Sequence, residues 1–152
     1  MRAYFFGNMY LSSIQQGIQA AHVVAEMFVK YTNAKRELLG VEPNQLHILN
    51  HWASEHKTMV LLNAGYGQEI HNLIDVFNNP ANPLPWAAFN EGEDALDGAL
   101  TCIGIILPEE FYEAAKELRT MDANSPSPFL DKLETVWERD FAARLNNYGL
   151  AR

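Results

Sequence analysis

Several groups of residues have types and spacings that could do chemistry. The first is a run of uncharged donors and acceptors, Asn8, Tyr10, Ser12, Ser13, Gln15 and Gln16, to which Asn90 adds another amide. Amides and hydroxyls in such number suit hydrogen bonding to a base or a ribose better than proton transfer. The second is acidic: Glu91, Glu93, Asp94 and Asp97 lie within one short stretch. Glu91 or Glu93, with His22, could nominally serve as a general base that activates water. The same acids also read as a solvated turn, and His22 as a packed or rim histidine on an alanine-rich helix. The third group is His47, His51 and His56. His47 and His51 stand i, i+4 and share a helix face, but a metal needs a third ligand and no glutamate follows the first histidine, so no metal is expected. The lone thiol, Cys102, sits among Leu100, Ile103 and Ile105, with no charge to lower its pKa, and reads as buried and inert.

These residues must be carried by regular elements. Ala3–Phe6 is apolar throughout, as expected of a central strand covered on both faces, and Gly7-Asn8 ends it. Ser12 to Gly17 reads as a polar loop, with a helix from there to Tyr31 that is dense in Ala20, Ala21 and Ala25; Ser12 and Ser13 also suit an N-cap. A strand that delivers such a loop to a helix N-terminus is a common ligand position in α/β proteins. Asn44 is the expected cap of a helix to about His56. Lys57–Leu62 reads as a strand, Asn63–Gly67 as a turn and Gln68–Phe77 as a helix with Ile70, Leu73, Ile74 and Phe77 on one side. Proline and asparagine fill 78–85. Trp86–Phe89 and Ala99–Leu107 read as strands on either side of the acidic turn. Pro108 opens a helix from Glu109, with acids in its first turn. After the linker 122–128, a last helix over 129–145 carries Leu130, Leu133, Trp137, Phe141 and Leu145, a stripe for core packing or for a subunit contact.

Composition narrows the function classes. The chain has 152 residues, 48% of them hydrophobic, which suffices for one packed core. No apolar run reaches the roughly 18 residues of a membrane span, and the apolar run after Arg2 is too short for a signal peptide. With one cysteine, no internal disulfide can form, and a reducing, cytoplasmic setting is expected. The net charge is −8, with 11 scattered basic residues, which argues against an extended nucleic-acid surface. A small anion held by backbone amides stays compatible with that charge.

Several words in the sequence resemble the class of peptidyl-tRNA hydrolases found in archaea and eukaryotes. Gly17 with Ala20-Ala21 resembles the G-K-x-A-A-Q opening of that family's first helix. Trp52 followed by Lys57-Thr58-Met59-Val60-Leu61 resembles its W…G…K-V-V-L strand, and Glu69-Ile70 with Leu73 resembles its E-L-x-x-L helix. Leu84-Pro85, Asn90-Glu91-Gly92 and Gly98 to Pro108 resemble its final segment, and the likeness covers residues 3 to 118. The resemblance implies a three-layer α/β/α fold with a four-stranded mixed sheet over residues 1–120. Residues 121–152 would form a linker and an extra C-terminal helix, packed on the domain or on a partner subunit. It also implies that the polar rim gathers at the carboxyl ends of the first and third strands, taken as neighbours.

The family's chemistry meets different residues here. Its catalytic lysine falls on Ile18, or on Gln19 with a slip, and its helix glutamine on His22. Its aspartate falls on Asn90, with Glu91 or Glu93 as stand-ins. The expectation is therefore a non-catalytic protein that binds or sequesters a nucleotide or nucleotide-derived ligand through Asn8, Tyr10, Ser12, Ser13, Gln15, Gln16 and Asn90. It would use no cofactor and would assemble as a homodimer or larger. A hydrolase using His22, Glu91 and Glu93 is one alternative, and an interaction module using the C-terminal helix is another.

Overall fold

The computed structural model describes every residue except Met121, Ala123 and Arg152. The chain runs β1 (Arg2–Gly7), α1 (Ser13–Thr32), α2 (Pro43–His51), β2 (Met59–Asn63), α3 (Gly67–Phe77), β3 (Trp86–Asn90), α4 (Glu93–Leu96), β4 (Leu100–Leu107), α5 (Glu109–Thr120), α6 (Val136–Leu145) and β5 (Gly149–Leu150). The strands form one mixed sheet in the order β3-β4-β1-β2-β5. β1 and β2 are parallel, while β4 runs antiparallel to both β1 and β3.

The two central strands explain the layering. All eight residues of β4 are buried, and in β1 everything after Arg2 is buried, so each strand needs cover on both faces. Alternate residues supply it. Phe5 and Val23 of α1 both press on Gly104. On the other face Tyr4 meets Tyr112 of α5, and Phe6 meets Phe77 of α3. Phe77 in turn packs edge-on against Phe141 of α6. Helices thus cover both faces, and among the described residues no helix is long and apolar enough to cross a membrane.

Several elements differ from the sequence expectation. The sheet has five strands, not four: Gly149 and Leu150 pair with Asn63 and Leu62 of β2, and the Ala151 amide donates to the Leu61 carbonyl at 2.9 Å. Two residues carry no periodic pattern, so only the tertiary contact makes them a strand. Tyr148 brings them there. Its ring packs on Phe6 at 4.9 Å, and its hydroxyl donates to Glu69 Oε1 at 2.6 Å, where Arg144 Nη2 also binds at 2.8 Å.

The polar stretch 12–17 is not a loop but the first turn of α1. The Gln15 amide donates to Ser12 Oγ, and the Ser12 amide donates to Gln15 Oε1, a reciprocal cap. α2 starts one residue before Asn44, at Pro43, and ends in a π-helical turn over Trp52–His56. The last helix starts at Val136 rather than Phe129, because Thr135 and Glu138 form the same kind of cap. Phe129 and Leu130 instead donate their amides to the Glu117 carboxylate of α5. Trp137 and Phe141 are buried at home, with Trp137 Nε1 bonded to the Val76 carbonyl at 2.9 Å.

A side chain at Gly104 would meet the Phe5 ring at 2.7 Å and Val23 at 2.9 Å. Gly104→Ala is therefore expected to lower stability by about 1–3 kcal/mol in urea denaturation, with no change of fold. At the C-terminal latch, burial raises the Glu69 carboxyl, but hydrogen bonds from Tyr148, Arg144 and Asn72 outweigh it and hold the group below its ordinary value. The resulting stabilisation is present above the ordinary carboxylate range and is lost as pH falls through the depressed value. Denaturation of wild type and Glu69→Gln between about pH 7 and about pH 3 should show their stability difference shrinking on acidification. A constant difference would contradict this account of the latch.

Candidate functional site

β1 and β3 point the same way, so their carboxyl ends share one end of the sheet. They are not neighbours, which corrects the expected adjacency: β4 lies between them, and two interstrand spacings put them about 10 Å apart. Gly7 and Phe89 both pair with Cys102, one from each side. Asn8 and Asn90 follow these residues and flank the start of β4.

What fills the gap is a chain of polar groups, in which Gln19 and Glu91 stand where the resemblance put the family's lysine and aspartate, joined by bonds that the sequence did not announce. The Asn8 amide donates to the Thr101 carbonyl at 3.1 Å. Thr101 Oγ1 donates to Gln19 Oε1 at 2.8 Å, and Gln19 Nε2 donates to Glu91 Oε1 at 2.5 Å. Thr101 and Gln19 are buried while Glu91 is half-buried. Each buried polar atom in this chain has its partner, as the interior demands. Gln19 is two residues from the start of the expected helix, yet its contacts lie 72 and 82 residues away, so no local signal marked them.

The nominal base residues do not form a unit. The exposed His22 ring lies flat on Phe89, with centroids 4.4 Å apart. Glu93 is exposed at the start of α4. Among the described residues no hydrogen bond joins His22 to Glu91 or Glu93, and the one carboxylate that is oriented, Glu91, is held by the neutral Gln19 amide. Burial pushes the Cys102 thiol up to about 12, which removes it as a nucleophile at neutral pH. His47 and His51 stack with parallel rings 6.2 Å apart, His56 meets His51 edge-on, and no metal-holding cluster occurs among the described residues.

Beside this chain of bonds, at the carboxyl ends of β1 and β2, is a cleft of about 850 Å³ lined by Met9, Gln16, Asn63, Gly65 and the C-terminal Gly149, Leu150 and Ala151. The loops after β1 and β2 are knitted together: Met9 donates to the Gly65 carbonyl, and Ala64 to the Gly7 carbonyl. Gly65 makes the turn with φ at +70°, a conformation that favours glycine, and Asn63 Oδ1 accepts from its amide. Next to the cleft Tyr10 and Tyr66 lean together, with ring centroids 4.8 Å apart, and are 78% and 55% exposed. Among the described residues, none that lines it carries a charged side chain.

Of the expected ligand-binding residues, Gln16 lines this cleft. It is 3% exposed; its Nε2 donates to the Leu11 carbonyl at 2.9 Å. Its Oε1 is the one buried side-chain polar atom among the described residues with no hydrogen-bond partner. An unmet buried acceptor costs about 1–3 kcal/mol. Asn8 and Tyr10 lie in the adjoining loop, where Asn8 Oδ1 accepts from the Tyr10 amide. Ser12 and Gln15 are committed to each other as the helix cap, and Ser13 is exposed in the same turn. Asn90 is turned away, donating to the Gly98 carbonyl at 2.9 Å.

A groove of about 810 Å³ between α3 and α6 is nearly as large, but Arg144 on its wall is bound to Glu69 and the Trp137 indole to Val76. It therefore lacks an orphaned buried group. No family model matches the chain, and no curated protein matches it.

Proposed function

We propose that the chain binds a small nucleotide or nucleotide-derived molecule without transforming it, on a fold that resembles the class II peptidyl-tRNA hydrolases. The observation that carries this reading is Gln16 Oε1, a buried acceptor with no donor, on the wall of a cleft where β1 hands the chain to α1. A ligand that brings an N–H or O–H to this corner removes an existing penalty, which a nucleobase edge or a ribose hydroxyl can do. The terminal torsion of the glutamine amide is soft, so the oxygen can turn toward such a donor. Tyr10 and Tyr66 offer ring faces at the rim, where base stacking contributes about 1–3 kcal/mol. The amino end of α1 carries no acid in its first turn and favours one phosphate. The net charge of −8 and the nearby Glu91, Glu93, Asp94 and Asp97 oppose a long polyanion.

Support for the absence of turnover is equally local. Acyl-ester hydrolysis needs a base aimed at water and a group that stabilises the oxyanion. Here Glu91 is tied through Oε1 to the neutral Gln19 amide, His22 rests on Phe89, and among the described residues the cleft wall carries no cation. The same proposal has the chain self-associate, supported by the exposed apolar Ile14, Ile18 and Val29 along α1.

Calorimetry and thermal shift against nucleosides, mononucleotides and dinucleotides test the binding. At least one member should bind at micromolar concentration, and Gln16→Leu should weaken it at least tenfold while leaving the stability of the free protein within about 1 kcal/mol. Absence of any binder, or a Gln16→Leu protein that binds as wild type does, removes the proposal. Incubation with an aminoacyl- or peptidyl-ester substrate should yield no enzyme-dependent cleavage. Cleavage by wild type that disappears in Glu91→Gln would put the hydrolase reading in its place.

A further inference from the structure

The far end of α1 borders a second, smaller cavity of about 290 Å³, walled by the last turn of that helix, the segment entering α2 and the loop after α3. Lys30 stands on its wall. The side chain is half-buried, and its Nζ donates to the Trp86 carbonyl at 3.1 Å. It also lies over the Trp86 ring at 4.0 Å and near the Tyr31 ring at 5.1 Å. Among the described residues the only ion pairs are Lys116 with Glu113 and Arg144 with Glu69, so no carboxylate answers this ammonium. Ring faces compensate a buried cation only in part. Of its three donors, one is used.

The other polar side chains of the wall are largely engaged elsewhere. Gln45 and Asn82 are buried there, but their amides are committed: Gln45 Nε2 donates to the Leu84 carbonyl, and Asn82 Nδ2 to the Phe77 carbonyl. Asn79 Oδ1 accepts from the Ala81 amide, which leaves its NH₂ group for the cavity side. The amino end of α2 forms part of the opposite wall, but it is capped by Glu42 and opens on Pro43, which has no N–H, so the anion would rest on Lys30 rather than on the helix end.

We infer that this cavity is a binding site for a small oxyanion, a carboxylate or a phosphate, held by Lys30 Nζ. Its volume sits at the low end of the range of ligand pockets, about 300 Å³, which fits a small metabolite or a single charged group rather than a polymer. Glu42 is the one acid on the wall and opposes multiple charge. The site is separate from the cleft at Gln16: Lys30 follows Gln16 by fourteen positions along α1, a rise of about 21 Å.

Burial lowers the Lys30 amine to about 8. Tyr31, pushed up to about 12 by burial, stays neutral at working pH. The α3 loop contributes only Asn78, Asn79, Pro80 and Asn82, which do not titrate. Because an anion binds the protonated amine, the affinity for acetate, whose own charge is constant above about pH 6, should be flat up to about pH 7 and fall as pH rises through about 8.

Two-dimensional amide spectra of the full chain, titrated separately with inorganic phosphate and with acetate, test this inference. A saturable shift of the Trp86 indole and the amides at 40–45 is expected in at least one arm. The arm that saturates at lower concentration tells whether the phosphate or the carboxylate is the preferred form. Lys30→Met should weaken that binding at least tenfold. Lys30→Arg should keep it and lose the fall near pH 8, since guanidinium does not titrate there. Gln16→Leu should leave it unchanged, so this result and the nucleotide experiment stand or fall separately. No saturable shift in either arm, or equal affinity in Lys30→Met with its native spectrum, overturns the site. A Lys30→Arg protein with the same pH dependence as wild type overturns the assignment to Lys30.

Discussion

The close approach of β1 and β4 is the constraint on which the rest depends. Phe5, Gly104 and Val23 interlock so tightly that one methyl group does not fit. Both strands are buried on both faces. Helices must then lie above and below, the chain must leave the sheet at its ends, and every polar group drawn into the interior must find a partner there. The polar chemistry of this protein is therefore found where α1 crosses the ends of these two strands.

α1 carries two buried glutamines one turn apart, and their fates differ. Gln19 faces β4 and becomes the middle of a relay from Thr101 to Glu91. Gln16 faces β1, where Gly7 offers no side chain; a Cβ at Gly7 would lie 3.4 Å from Oε1. The same residue type is thus a rigid strut in one place and an unfilled acceptor in the other. The strut holds one oxygen of Glu91 on a neutral amide, whereas an unmet acceptor favours whatever supplies a donor.

The C-terminal segment plays a structural part at the same cleft. Tyr148, Glu69 and Arg144 bind one another, and the strand they position gives the cleft one of its walls. Trp137 and Phe141, whose spacing fits either core packing or a subunit contact, fill the space between α3 and α5 instead. A helix whose aromatic stripe is already buried has little apolar face left to offer a partner.

Local sequence determined the elements whose signals are themselves local. The apolar runs 3–6 and 100–107 became central strands, the proline-asparagine stretch stayed irregular, and Pro108 preceded a helix, because side-chain alternation, ring closure and backbone sterics act within a few residues. Gln16, which lines the cleft, was readable as a candidate because it stood in a dense polar run at a strand–helix junction. Tertiary structure alone decided the fifth strand and the order that puts β4 between β1 and β3, whereas the start of α1 follows from a local cap between Ser12 and Gln15. Tertiary structure also decided which glutamine is satisfied and that Lys30 lies on Trp86, 56 residues away. Those outcomes depend on pairings between distant segments, and a polar or charged side chain bears no local mark of whether its partner will arrive.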